Sequence, residues 1–326
     1  MVRPTLGRPH REFPTNELIS LIEKYGVRGA ARRAGISRSG VQHRLKVWRK
    51  QGVFVHSPME GNSVAGYRPT EFPWRASLSV DNGIVLICGD AHYWPGKPSL
   101  MHQALLEFCR EYKKELAAII HIGDVIDAGT ISRHQRIGWE KLPELHEEIE
   151  AAKDRLHEIE KAVGRKRKIW CLGNHDGRFE ARIANIAPEY AKVHGVHLHD
   201  HFPLWETAWS CWINMGELVA KHRFKSGLYA PRNNTLYAGK SMATGHLHSA
   251  KVMPITDYNG TRWGIDVGCI ADPNGQQFVN YTEDNPKDWR EAFGYFTFNK
   301  SRLMQPELVL KWDKHKVQFR GKIHGV

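Results

Sequence analysis

Four short clusters punctuate the middle of this chain in order: GDAH at 89–92, GDVID at 123–127, GNHD at 173–176 and GHLH at 245–248. Each joins a glycine to carboxylate, amide or imidazole side chains. Three of them follow apolar runs (IVLIC, AAIIHI and KIWCL) that read as buried strands. A strand that ends in glycine and then presents Asp, Asn or His brings hard and borderline metal ligands to the rim of a sheet. That arrangement suits a binuclear metal site.

The segments between the clusters alternate in period. Residues 84–88 read as a strand, 99–116 as a helix and 118–122 as a strand. Residues 142–163 form a long charged helix with Leu145, Ile149, Ala152, Leu156 and Ile159 on one face, and 169–172 form another strand. Such alternation implies a layered α/β core. After Gly195 the pattern changes to short β segments. Tyr258-Asn259-Gly260-Thr261 marks a hairpin turn, and a further hairpin is expected around 295–320.

The net charge of +12 is concentrated at the front. Residues 1–55 hold twelve Lys and Arg against three Glu, an excess of nine, as expected of a module that binds a polyanion. From Thr15 the pattern predicts a first helix (Leu18, Ile19, Ile22 and Tyr25) ended by Gly26, and a second over 27–34. A Gly35-Ile36 turn follows, with Ser37 as N-cap of a third helix over 38–50, where Val41, Leu45 and Trp48 share a face. This sequence of elements resembles the helix-turn-helix of resolvase- and transposase-type DNA-binding domains. The resemblance implies Ser37, Arg38, Ser39 and Gln42 as base readers and Arg44, Arg49 and Lys50 as phosphate contacts. Arg3, Arg8 and Arg11 would form a minor-groove arm, and a homodimer would follow by analogy with such domains.

The remaining composition, 41% hydrophobic and 25% charged, is that of an ordinary globular chain. The first residues carry no apolar signal segment, and no run approaches the roughly 18 apolar residues of a membrane span, so the expectation is a cytoplasmic protein with no membrane partner. Cys88, Cys109, Cys171, Cys211 and Cys269 lack paired spacing and read as buried free thiols. Three regions follow: a basic helix-turn-helix domain over 1–55, a linker over 56–82 rich in proline, glycine and polar residues, and a catalytic domain over 83–326.

The ordered set D-x-H, GD-x-x-D, GNHD, an isolated histidine and G-H-x-H resembles the calcineurin-like metallophosphoesterases across 84–270. The resemblance implies a four-layer α/β/β/α sandwich with two divalent metals at the carboxyl ends of the strands, manganese first, with iron or zinc as alternatives. Carried onto this chain, it implies Asp90, His92 and His248 at one metal and Asn174, His222 and His246 at the second, with Asp124 bridging both. His175 is assigned phosphate contact and leaving-group protonation, with Asp176 orienting it, Arg178 reaching a phosphate oxygen and Asp127 behind the ligands. The isolated histidine has competitors in His194, His197, His199 and His201, which would line one strand face. His222 is preferred because it ends the run ELVAKH shortly before the last motif.

The Ser/Thr protein phosphatase branch carries an arginine after the second aspartate of GD-x-x-D, where this chain has Ala128. GNHD and GHLH occur both in the nuclease branch that acts in double-strand-break repair and in small-molecule phosphodiesterases. Joined to the basic N-terminus, they point to a binuclear phosphoesterase acting on nucleic acid, a nuclease or DNA-end-processing enzyme. Two alternatives stay open. One is a phosphomonoesterase or a cyclic-nucleotide or other small-molecule phosphodiesterase; the other is a DNA-binding regulator with a vestigial metal site.

Overall fold

The computed structural model describes residues 14–51, 74–134, 139 and 141–326. The chain divides into two compact units, Met1–Glu71 and Phe72–Val326. The first holds α1 (Thr15–Ala34) and α2 (Arg38–Lys50). α1 is one span broken at Gly26, whose φ of 67° leaves helical geometry where the sequence places a helix end. Gly35, left-handed at φ 67°, closes it. The Ser37 hydroxyl accepts the Gly40 amide at 3.1 Å and caps α2. Leu18, Ile22, Ala30, Val41 and Trp48 pack into a small core of their own. Arg38, Ser39 and Gln42 are exposed and Arg44 is half-buried. The arm carrying Arg3, Arg8 and Arg11, the side chains of Arg49 and Lys50, and residues 52–73 lie outside the described residues.

The second unit runs β1 (Arg75–Leu78), β2 (Gly83–Cys88), α3 (Leu100–Glu111), β3 (Leu116–His121), α4 (Leu145–Val163), β4 (Arg167–Cys171), α5 (Asp176–Ile186), β5 (Glu206–Ala208), β6 (Ser210–Ile213), β7 (Leu218–Ala220) and α6 (Ala230–Ala238). It continues with β8 (Ser241–Thr244), β9 (Lys251–Asp257), β10 (Gly260–Asp266), α7 (Val279–Thr282), β11 (Ala292–Asn299), β12 (Arg302–Leu303), β13 (Glu307–Lys311), β14 (Lys316–Phe319) and β15 (Lys322–Gly325). One sheet has the order β15-β14-β13-β11-β2-β3-β4-β5, with β12 on β11; the other has the order β1-β6-β7-β8-β10-β9. β2, β3, β4 and β5 pair in parallel.

The central strands are apolar on both faces because both are covered. Val85, Ile87, Ile120, Ile122 and Ile169 face the other sheet and meet Cys211, Ile213, Leu218, Ala243 and Ile265 there. Leu86, Cys88, Ile119 and Trp170 face away and pack on Leu105, Phe108, Leu156 and Ile159 of α3 and α4. α6 lies against β8, β9 and β10. The result is a mixed α/β fold of two facing sheets with helices outside them. All five cysteines are free and buried. Among the described residues no helix is long and apolar enough to cross a membrane.

Three local expectations change. Residues 75–78, assigned to the linker, form a strand that pairs in parallel with β6, Ala76 opposite Cys211, so sheet structure begins before residue 83. Ala76 and Leu78 supply the reason, since both are buried between the sheets. The helix expected over 99–116 stops at Glu111, and β3 opens at Leu116. The histidine-rich stretch after Gly195 is no strand: Leu198–His201 forms a 3₁₀ turn, closed by a bond from the Gly195 amide to Asp200 at 2.7 Å.

Candidate metal centre

The four clusters converge because each leaves the carboxyl end of a strand: 89–92 after β2, 123–127 after β3, 173–176 after β4 and 245–248 after β8. His222 arrives from β7, two residues past its end. The loops pack so closely that side chains at the glycines are excluded. A Cβ on Gly173 would lie 2.1 Å from Asp124 Oδ1, and one on Gly245 the same distance from Asp90 Oδ2. The candidate ligand residues carry backbone strain as well. Asp90, His92, Asp124, His246 and His248 all have positive φ, between 40° and 72°. Such conformations cost on the order of 1–3 kcal/mol each and persist where packing holds them, commonly at functional sites.

Asp90, Asp124, His92, His222 and His248 are all buried. Asp90, His92 and His248 bring potential ligand atoms together, as do Asp124, His222 and His246, and so do His92, Asp124 and His175. His248 Nε2 stands 3.1 Å from Asp90 Oδ1. His222 Nε2 stands 3.1 Å from Asp124 Oδ2 and 3.0 Å from Asn174 Oδ1. His92 Nε2 approaches Asp124 Oδ2 at 3.9 Å.

These residues fit divalent cations on the chemistry of the donors. The Nδ1–H of His222 donates to the Ile122 carbonyl at 2.8 Å, which leaves Nε2 as a lone pair facing a carboxylate oxygen and an amide oxygen. The Nδ1–H of His92 donates to Asp127 at 3.2 Å, and its buried Nε2 has no hydrogen-bond partner. Lone pairs converging in a buried space require a proton or a cation between them. The electrostatics agree. Burial opposes ionisation of Asp124, yet the surrounding His222 and His175 rings hold its carboxyl well below the usual range. Burial pushes His222 down, but Asp124 and Asp90 outweigh it and raise the ring to about 9. Burial and the neighbouring His222 charge push His246 down to about 4.

His175 lies at the edge of this group, its Nε2 3.9 Å from Asp124 Oδ2 and its backbone amide donating to Asp124 Oδ1 at 2.8 Å. Its ring is oriented by Asp127, through Oδ1 at 2.9 Å and the backbone carbonyl at 3.0 Å. Asp176, expected to do this, does something else. Its fully buried carboxylate accepts the amides of Asp124, Val125 and Gly173 and the Trp170 indole N–H, all at 2.7–2.9 Å. It thereby ties the second loop to the third, and burial raises its carboxyl to about 6. Arg178 donates to the Asp127 carbonyl at 2.8 Å and reaches His175 Nε2 at 3.3 Å.

The candidate DNA readers belong to the other unit. His197 and His199 gather with Glu180 in a group separate from the ligands above. Asp127, expected behind the ligands, orients two imidazoles. Three further contributors escaped the sequence patterns. Buried Glu148 of α4 accepts the Asp127 and Ala128 amides at 3.1 and 2.6 Å and so fixes that loop. The rings of Phe278 and Trp289 wall the centre, Phe278 5.0 Å from His92 and Trp289 4.4 Å from His248. The aspartate in GDVID was a visible signal; nothing near Glu148, Phe278 or Trp289 marks them.

The sequence model for calcineurin-like phosphoesterases matches residues 84–325. Among solved structures, the chain is similar to a candidate diadenosine tetraphosphatase at 12% identity and a TM-score of 0.37, covering 73% of this chain and 98% of that one. It is also similar to a dimetal phosphatase from Danio rerio at 11% identity and a TM-score of 0.36, covering 71% and 96%. No curated protein matches it.

Proposed function

This chain belongs to the calcineurin-like phosphoesterase family, and from that premise we propose a metal-dependent phosphoesterase acting on nucleic acid, a nuclease or DNA-end-processing enzyme held on DNA by its basic N-terminal helices. The observation that supports the hydrolytic part most strongly is the placement of Asn174 Oδ1 and Asp124 Oδ2 at 3.0 and 3.1 Å from His222 Nε2. Asp90, His92 and His248 would hold one cation, Asn174, His222 and His246 the other, with Asp124 between them. Two such cations supply Lewis-acid charge to a phosphoester and acidify water at neutral pH. The imidazole and oxygen donors suit manganese, iron or zinc better than calcium.

The protein's own groups do the rest. Asp127 holds the Nδ1–H of His175; its Nε2 accepts from Arg178 at 3.3 Å and is the atom that can carry a proton to a leaving oxygen once Arg178 turns to a phosphate. The charges of Asp124 and Asp127 raise the His175 ring above its ordinary value despite burial. Arg178, beside it, offers fixed positive charge to a phosphate oxygen.

Nucleic acid as the substrate rests on the excess of nine positive charges over residues 1–55 and on the exposure of Arg38, Ser39 and Gln42 along α2. Buried Ala128, where an arginine would stand in the protein phosphatases, argues against a phosphoprotein substrate. The test is a panel of single-stranded, duplex and nicked DNA, nucleotides and bis-p-nitrophenyl phosphate with Mn²⁺. Cleavage of a DNA substrate is expected. Turnover of small esters alone would overturn the nucleic-acid assignment.

A further inference from the structure

The chain has no acidic residue between Glu217 and Asp257, while it carries Lys221, Arg223, Lys225, Arg232, Lys240 and Lys251 there. The middle of this stretch leaves the metal centre directly. His222 is buried, and residues 223–229 (RFKSGLY) are all exposed. Large apolar side chains stand out among them: Phe224 is 44% exposed, Leu228 64% and Tyr229 58%, and Tyr237 on the facing helix α6 is 69% exposed. Rings of this size usually go inside, so a group of them beside a catalytic centre calls for an occupant.

The patch is built rather than loose. The Lys225 amide donates to Asn234 Oδ1 at 2.7 Å, and buried Asn234 in turn donates to Thr244 Oγ1 at 3.3 Å, just before the GHLH cluster. The Ala230 amide closes onto the Gly227 carbonyl at 2.9 Å. The Lys225 ammonium lies 4.7 Å from the Tyr237 ring centre and 5.3 Å from that of Phe224, so one cation sits between two exposed rings. Arg223 is close enough to His246 that its charge helps depress that ring.

We propose that residues 223–229 and the Tyr237 face of α6 form a ledge for single-stranded nucleic acid running out of the metal centre. Phe224 and Tyr237 stack on bases, and Arg223 and Lys225 hold backbone phosphates. Alternating rings and cations are the surface an unpaired strand requires, since only unpaired bases offer their faces. A duplex hides those faces, so the ledge selects unpaired ends, gaps and loops. This assignment rests on the phosphoesterase reading above and narrows its substrate.

The test uses the full-length protein in EDTA with a fluorescein-labelled twelve-nucleotide oligo(dT) and an abasic strand of equal length and charge, read by anisotropy. Stacking contributes about tenfold per ring, so wild type binds the base-bearing strand at least tenfold more tightly than the abasic one. The double variant Phe224→Ala/Tyr237→Ala brings that ratio to near one, and Arg223→Ala/Lys225→Ala weakens both strands alike. The strand comparison on wild type needs no variant to fold. Equal binding of the two strands by wild type, or an unchanged ratio in the ring variant, would overturn the ledge. So would binding of phosphatidylserine vesicles that the ring substitutions abolish, without any base dependence. Turnover of bis-p-nitrophenyl phosphate with Mn²⁺ separates the two readings. Turnover without base discrimination refutes the ledge alone; base discrimination without turnover of any phosphoester refutes the phosphoesterase reading alone.

Discussion

Replacing Asp127 by asparagine keeps the shape of the side chain and removes the charge to which two imidazoles are tied. One carboxylate oxygen accepts the Nδ1–H of His92 at 3.2 Å and that of His175 at 2.9 Å. The amide oxygen of asparagine accepts too, but a hydrogen bond to a charged partner is roughly twice as strong as a neutral one. Loosening the group behind a ligating histidine typically costs about 10–100-fold in metal affinity or activity. Loosening His175 removes part of the roughly 10²–10⁴-fold worth of a positioned acid. Asp127→Asn is therefore expected to lower kcat about 10³-fold on an alkyl phosphodiester. The loss on bis-p-nitrophenyl phosphate, whose leaving group needs little protonation, should be only about tenfold, the share carried by His92. Steady-state kinetics on both esters at saturating Mn²⁺ reads the difference directly. Equal losses on the two esters, or a kcat within twofold of wild type, would refute the role assigned to Asp127.

Other perturbations test separate parts of the structure. Burial raises Glu148 from the ordinary 4.5 to about 7. The unfolded chain therefore releases that proton first, and stability is lost as pH rises from 4.5 to 7, by about 3 kcal/mol. Glu148→Gln keeps an oxygen for the Asp127 and Ala128 amides and should flatten the fall in Tm between pH 5 and 8; parallel Tm curves would count against it. Gly173→Ala places a methyl 2.1 Å from Asp124 Oδ1 and 2.4 Å from its amide. A lowered Tm and weakened Mn²⁺ binding by calorimetry are expected, since overpacking costs about 1–3 kcal/mol or more; wild-type values for both would show that the loops part easily. In the N-terminal unit, Arg38→Ala and Gln42→Ala should narrow the affinity gap between preferred and random duplexes, whereas Arg44→Ala should weaken all sequences alike. An unchanged gap, measured by anisotropy, would remove α2 as the reading helix.

The candidate ligands were legible as a group because their chemistry and chain order coincide. Three of the four clusters follow a strand whose apolar run is visible, and the carboxyl ends of those parallel strands gather at one rim of a sheet, while GHLH leaves β8 of the other sheet. The choice of His222 over His197 and His199 had only its position before GHLH to support it; the structure sets His222 beside Asp124 and Asn174 and leaves the others with Glu180. Asp127 and Asp176 could not be told apart by type or spacing, because their roles depend on which atoms the folded loops present. Asp176 faces three backbone amides and the Trp170 indole, while Asp127 faces two rings. β1 escaped notice because four residues are too few for alternation to stand out from their polar surroundings.

The binuclear centre itself is tested by metal content. Purified chain equilibrated with Mn²⁺, desalted and measured by plasma mass spectrometry should carry two manganese ions per chain and hydrolyse bis-p-nitrophenyl phosphate. Asp124→Asn, which weakens the carboxylate assigned to both cations, should carry fewer than two and lose several decades of rate. Full occupancy with near-wild-type turnover in Asp124→Asn, or no bound metal in the wild-type chain, would contradict the assignment of these residues as a two-metal site.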